Sequence, residues 1–258
     1  MVTSVGFIGG GRAARIILGG LAAAGRFPER VLVSDPNEST LAALRARHPS
    51  IEAASGGNAR AAAQGIVVLG VHPPVVGGVA DEIRAVLAPD AVVLSLAPKV
   101  TMARLKAMLG GFGRLARLIP NAPSIVGAGF NPLAFAPELD DAARRRVLEL
   151  IEPLGECPEV PEPDLEVYAV LTAMGPTYLW FQLYELLAIA ESAGLSHEAA
   201  MRGLDRMVSG TVAAMSRSGL SPADLMDLVA VRPLGEEESA IAALYRDKLP
   251  ALLARLRP

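Results

Sequence analysis

Short, almost wholly apolar runs recur along the first half of the chain, and each is followed by apolar residues at helical spacing. The runs are TSVGFI (residues 3–8), RVLVS (30–34), GIVVLGV (65–71), AVVLSL (91–96) and RLARLI (114–119). An apolar run of this length, closed by Gly, Pro or a polar residue, reads as a strand buried on both faces. Residues 51–54 add a short strand and residues 130–136 one near an edge. Helical patterns fill the intervals at 12–24, 41–46, from 57 onward, up to about 87, 101–109 and 140–152. Regular alternation of this kind predicts an α/β domain built on a doubly wound, mostly parallel sheet of the Rossmann type.

Beyond residue 164 the strands stop and only helices are predicted, at 165–173, 177–193, 196–218, 222–229 and 236–257. The stretch EPLGECPEVPEPD (152–164) holds four prolines and reads as the junction. We therefore expect a dinucleotide-binding domain over 1–161 and a helical domain over 162–258. Residues 178–190 (YLWFQLYELLAIA) are apolar almost all round, so that helix must be buried on every side. A helical layer this small cannot bury it alone. A homodimer, or a larger homo-oligomer, through the C-terminal helices is the expectation.

The first strand runs into Gly9-Gly10-Gly11-Arg12-Ala13-Ala14, which is G-x-G-x-x-A between a strand and a helix. Gly9 permits the tight turn, Gly11 lets a pyrophosphate approach the backbone, and Ala14 keeps the helix close to the sheet. The phosphates would lie at the N-terminus of the helix, where free N–H groups and the dipole favour negative charge. The second strand ends at Asp35, placed to accept hydrogen bonds from ribose hydroxyls and to repel a 2′-phosphate. With Pro36 and Asn37 next and no arginine until Arg45, this favours NADH over NADPH. The alternative is that Asp35 only caps the next helix, with Pro36 in its first turn.

In open α/β sheets ligands bind beyond the carboxyl ends of the strands. That rule selects Asp35, His72, Lys99 and Asn121, and Val71, Pro73 and Ala97 beside them are further cofactor candidates. The composition adds exclusions. Net charge is −3, so nothing favours nucleic acid or an anionic membrane. The long uncharged stretches 61–80 and 167–184 are interrupted by Pro and Gly, which argues against a membrane span. The single cysteine, Cys157, allows no internal disulfide, and His48, His72 and His197 are too isolated to suggest a metal site. The N-terminal strand leads straight into the glycine turn with no leader pattern, so a cytoplasmic protein with a small-molecule substrate is expected.

These pieces, in this order, resemble the pyrroline-5-carboxylate reductase family. VGFIGGGRAARII is similar to the family's opening, and Val71-His72-Pro73 stands where the family has Val-Lys-Pro. Arg117-Leu118-Ile119-Pro120-Asn121-Ala122-Pro123, with Gly127 and Gly129, is close to its Arg-x-Met-Pro-Asn-Thr-Pro motif, the most specific of the set. Gly175-Pro176-Thr177-Tyr178 resembles Gly-Pro-Ala-Tyr, and Gly194-Leu195 and Leu225-Met226-Asp227 fall at matching distances. The resemblance implies a helical dimerisation domain and hydride transfer from NAD(P)H to a cyclic imino acid, as in proline biosynthesis. It also implies that Asn58 contacts the adenosine end of the cofactor, and that Asn121, Gly175 and Pro176 lie near the substrate.

Two stretches depart from the family pattern. Thr172-Ala173-Met174 replaces Ser-Gly-Ser. Residues 230–236 (AVRPLGE) replace the Ser-Pro-Gly-Gly-x-Thr loop whose N–H groups hold the substrate carboxylate. A nest of N–H groups needs glycine-like conformations, which Pro233 and Leu234 do not supply. Arg232 either takes the carboxylate instead or pairs with the glutamates at 236–238.

A protonated imine is already electrophilic and needs no strong general acid; a ketone would need one. His72, Lys99 and Tyr178 are the candidate donors. Each has a plainer reading: His72 contributes backbone only, Lys99 meets solvent or a phosphate, and Tyr178 packs at an interface. Asn121 likewise either orients the nicotinamide carboxamide or caps a turn. The alternatives at the level of function are a reductase of this fold acting on a different imine, carbonyl or deazaflavin, and a dinucleotide-binding relative without catalysis.

Overall fold

The computed structural model describes residues 4–257. The described chain divides into two compact units, residues 4–174 with 252–257, and residues 175–251. The first unit opens with β1 (Ser4–Ile8), α1 (Arg12–Ala23), β2 (Arg30–Ser34), α2 (Glu38–Arg47) and β3 (Glu52–Ala54). It continues with α3 (Asn58–Ala62), β4 (Ile66–Leu69), α4 (Val76–Ile83), β5 (Val92–Ser95), α5 (Met102–Met108) and β6 (Leu115–Leu118). The sheet order is β3-β2-β1-β4-β5-β6, all parallel. The order reverses between β1 and β4, so the ligand crevice belongs beyond their carboxyl ends. Every residue of β4, β5 and β6 is buried, as the continuous apolar runs required.

The run 130–136, expected as one strand, is divided. Gly129–Phe130 is β7, and Leu133–Phe135 is β8, which joins β6 antiparallel at the sheet edge. Asn131-Pro132 makes the break, because Pro cannot donate to a ladder. β7 pairs instead with β9 (Gly155–Glu156), beyond α6 (Asp141–Ile151). The proline-rich stretch is therefore not bare linker: it holds β9, and Val160 N–H donates to the Leu133 carbonyl. The arginine run at 144–146 on α6 is partly anchored rather than wholly solvated. Arg144 stacks on Phe135 and donates to Glu159, and Arg146 donates to the carbonyls of Gly65 and Asp90.

At the end of the unit comes α7 (Leu165–Tyr168), followed by one π turn over Ala169–Ala173. A buried ion network anchors it. Arg117 on β6 is 1% exposed and donates to Glu166 (2.6 Å) and Glu162 (3.0 Å). Glu162 also accepts from the Met102 N–H (2.7 Å).

The second unit is all helix: α8 (Gly175–Ser192), α9 (His197–Arg217), α10 (Pro222–Asp227) and most of α11 (Glu238–Leu256). Ser196 and Ser221 cap α9 and α10. The apolar helix α8 has only Leu187 buried, while Phe181, Tyr184 and Ile189 are more than 60% exposed. No described helix is long and apolar enough to cross a membrane.

Candidate dinucleotide site

The glycine turn after β1 is held by contacts that only glycine permits. Gly9 has φ +100°, and a Cβ there would lie 2.6 Å from the Gly70 carbonyl oxygen. The neighbouring strand ends are thus drawn together, with Gly70 N–H on the Ile8 carbonyl and Gly9 N–H on the Ser34 carbonyl. Gly11 is the opposite case. Its backbone is extended (φ −69°, ψ −153°), and a Cβ there would meet nothing within 4 Å. Gly11 is the N-cap of α1, and no side chain caps that helix. Of the other helices, α2, α5, α6, α9 and α10 are each closed by a side-chain oxygen, while the shorter α3, α4 and α7 lack a side-chain cap as α1 does. The first-turn N–H groups of α1 are therefore left for an anion.

They open on a cleft of about 640 Å³. Its walls are Gly10, Gly11, Arg12, Ala13 and Arg15 on one side, Ser39, Thr40 and Ala43 of α2 on another, and Gly70 to Pro73 with Leu96 and Pro98 at the ends of β4 and β5. The open space over Gly11 and the uncapped helix end fit a pyrophosphate. Arg12 and Arg15 have no ion pair among the described residues. Of the sequence candidates, Gly10, Gly11, Arg12, Ala13, Val71, His72 and Pro73 line this cleft together. Arg15, Ser39, Thr40, Leu96 and Pro98 line it too and were not singled out in the sequence. Arg15 alone had a signal, lying one helical turn from Arg12.

Asp35 sits beside the glycine turn with both oxygens engaged. Oδ2 accepts from the Gly10 N–H and Oδ1 from the Asn37 N–H, each at 2.8 Å. It does not cap α2; Asn37 does, accepting from the N–H groups of Ser39 and Thr40. Asn58 is likewise engaged at both ends, accepting from Ser34 Oγ (2.7 Å) and donating to Glu82 (2.7 Å). His72 is exposed, and its carbonyl accepts from the Val75 N–H. Ala97 is buried after β5, and Lys99 two residues on is exposed with φ +65°.

Asn121 is 6% exposed at the end of β6. Its Oδ1 accepts from the Phe130 N–H (3.1 Å) and lies 3.3 Å from Ser124 Oγ, and its Nδ2 donates to the Thr172 carbonyl (3.4 Å). The fully buried Asn131 completes the group, accepting from Ser124 Oγ (2.6 Å) and the Asn121 N–H (3.3 Å). This turn lies close on α1: a Cβ at Gly20 would be 2.3 Å from the Ser124 carbonyl oxygen. The sequence reading passed over Asn131, although a polar residue before Pro inside an apolar run was its signal.

The second unit carries the remaining candidates. Gly175 and Pro176 begin α8. Tyr178 packs edge-on against Tyr245, with centroids 5.9 Å apart. Burial, with a smaller effect of Tyr245, pushes its hydroxyl above the usual range, so it keeps its proton at neutral pH. Arg232 forks onto the Glu238 carboxylate through Nε and Nη2, the pairing that was the alternative to carboxylate binding.

Comparison with known proteins gives a consistent picture. Residues 4–99 match the family model described as NADP oxidoreductase, coenzyme F420-dependent, and residues 162–256 match the one described as pyrroline-5-carboxylate reductase dimerisation. The chain is 29% identical over 233 residues to the pyrroline-5-carboxylate reductase of Escherichia coli (strain K12), covering 89% of this chain and 85% of that protein. Among solved structures it is similar to a pyrroline-5-carboxylate reductase from Coxiella burnetii, with TM-score 0.68, 28% identity, and 99% and 94% of the two chains covered. The pyrroline carboxylate reductase of Plasmodium falciparum with NADP bound shares the fold, with TM-score 0.73 and 20% identity over 99% and 94% of the chains.

Proposed function

We propose, from the premise that this chain belongs to the pyrroline-5-carboxylate reductase family, that it is an NAD(P)H-dependent reductase of the C=N bond of a small cyclic imino acid. The observation that carries the reading is the uncapped N-terminus of α1 opening, across the bare Gly11, into the cleft. The N–H groups at 11–13, aided by Arg12 and Arg15, would hold the pyrophosphate. Asp35 and Asn58 would serve the adenosine end, and Val71-His72-Pro73 and Ala97 the nicotinamide end. We favour NADH, because the Asp35 carboxylate opposes a 2′-phosphate.

When bound, the reduced nicotinamide supplies the hydride. The protein's part is to hold the iminium carbon within about 3–3.5 Å of the donor carbon and to keep water out. Hydride addition to an iminium leaves a neutral amine, so no enzyme proton is required. Tyr178, which keeps its proton, and His72 are the candidate donors if the acceptor is a carbonyl. Arg232, Asn121, Gly175 and Pro176 remain candidate substrate residues. The exposed apolar side chains of α8 support a homo-oligomer assembled through the helices.

The test is oxidation of NADH and of NADPH by the purified protein with pyrroline-5-carboxylate. Turnover supports the reading; cofactor binding without turnover refutes it. One observation favours a second reading, a reductase of this fold with another imine, carbonyl or deazaflavin acceptor. The stretch that should hold the carboxylate contains Pro233 and Leu234, and its arginine is already paired.

A further inference from the structure

Lys99 is the one non-glycine residue with positive φ among the described residues. It follows Pro98 in the turn that leads from β5 towards α5. Pro followed by a residue of positive φ is the pattern of a type II turn, whose second central position is normally glycine. A lysine there is strained relative to glycine, and its side chain earns no local return: it makes no hydrogen bond or ion pair among the described residues and is exposed. Strained backbone positions of this kind cluster at ligand sites.

The position fits that interpretation. Leu96 and Pro98 line the cleft, and Lys99 is the next residue along. The cleft's other cations, Arg12 and Arg15, belong to the α1 end. Arg117, on the neighbouring strand, is locked between Glu162 and Glu166. Arg232 is taken by Glu238. A flexible four-carbon stem carrying an unpaired ammonium at the β5 end is what remains to meet a small anion there. We propose that Lys99 binds the carboxylate of the substrate and makes the site select an anionic imine, an inference that rests on the imine-reductase reading above.

The experiment compares two acceptors, pyrroline-5-carboxylate and 1-pyrroline, the same ring without its carboxylate. Lys99→Gln should raise KM for the carboxylate-bearing imine roughly tenfold or more, the loss of one charge-assisted hydrogen bond. It should change kcat less than about twofold and leave KM for 1-pyrroline where it was. Lys99→Arg should recover most of the loss. Lys99→Gly should carry the same KM defect while raising the melting temperature by roughly 2–4 °C, because it relieves the turn; this separates the charge from the conformation. Equal shifts for both imines, or none for either, would overturn the proposal. A wild-type protein that reduces 1-pyrroline as well as its carboxylate would leave imine reduction standing and refute the role of Lys99. A wild-type protein that reduces neither would refute the functional reading and this inference with it.

Discussion

Gly11→Ala separates what the glycine turn does for folding from what it does for the ligand. Nothing lies within 4 Å of a Cβ built at Gly11, and its extended backbone suits an L residue. The substitution removes freedom from the unfolded chain, a gain of about 0.4–1 kcal/mol, but alanine is a poorer N-cap than glycine, so the two offset and stability should change by less than about 1 kcal/mol. The same methyl group, however, stands in the open cleft at the uncapped end of α1, where the pyrophosphate would approach. Forcing a methyl into such a contact costs about 1–3 kcal/mol, roughly a 5- to 150-fold rise in Kd. Gly9→Ala is the control. Its φ of +100° and a Cβ 2.6 Å from the Gly70 carbonyl oxygen predict a loss of about 2–5 kcal/mol of stability before any ligand is added. Thermal unfolding reports the first effect and NADH fluorescence titration the second. A Gly11→Ala protein that is as stable as predicted and binds NADH with unchanged Kd would refute the assignment of the cleft.

Two further outcomes follow from the packing. Glu166→Ala leaves Arg117, 1% exposed, with only the half-buried Glu162 as partner; chemical denaturation should show a loss of about 2–4 kcal/mol, and a change under 1 kcal/mol would mean the network contributes little. Phe181→Arg or Ile189→Arg, on the exposed apolar face of α8, should lower the mass seen by light scattering while the far-UV spectrum stays helical; an unchanged oligomer would place the interface elsewhere.

What the sequence disclosed and what it hid divide along physical lines. The buried parallel strands were legible because both faces are covered, leaving runs such as IVVL with no polar position and VVLS with one only at its end. Serine and threonine caps rest on local bonds: Thr101, Ser196 and Ser221 each accept from an N–H three residues on. The cap of α2 was harder, since Asp35 and Asn37 both suit the role. The neighbouring strand decides it, because the Gly10 N–H draws one oxygen of Asp35 away. Likewise Arg144 and Arg146 look like solvent residues in sequence, and only the fold brings Phe135, Glu159 and Asp90 to them. The cleft was half legible: Gly11 and Val71-His72-Pro73 are local motifs, but Ser39 and Thr40 line it only through the packing of α2 beside the glycine turn.

Asn121 shows how a buried side chain limits its own chemistry. An asparagine amide offers two N–H donors, and its oxygen accepts two hydrogen bonds. Phe130 N–H uses the oxygen, Ser124 Oγ lies 3.3 Å from it with its one proton directed closer to Asn131, and the Thr172 carbonyl takes one N–H. A ligand amide can then draw at most one hydrogen bond from the Asn121 side chain. Asn121→Asp removes the donor and sets a carboxylate oxygen against the Thr172 carbonyl, so it should disturb the π turn before α8 even with no ligand bound. Asn121→Ala takes the side-chain acceptor from the buried Phe130 N–H and should be costlier still than its small change in volume suggests.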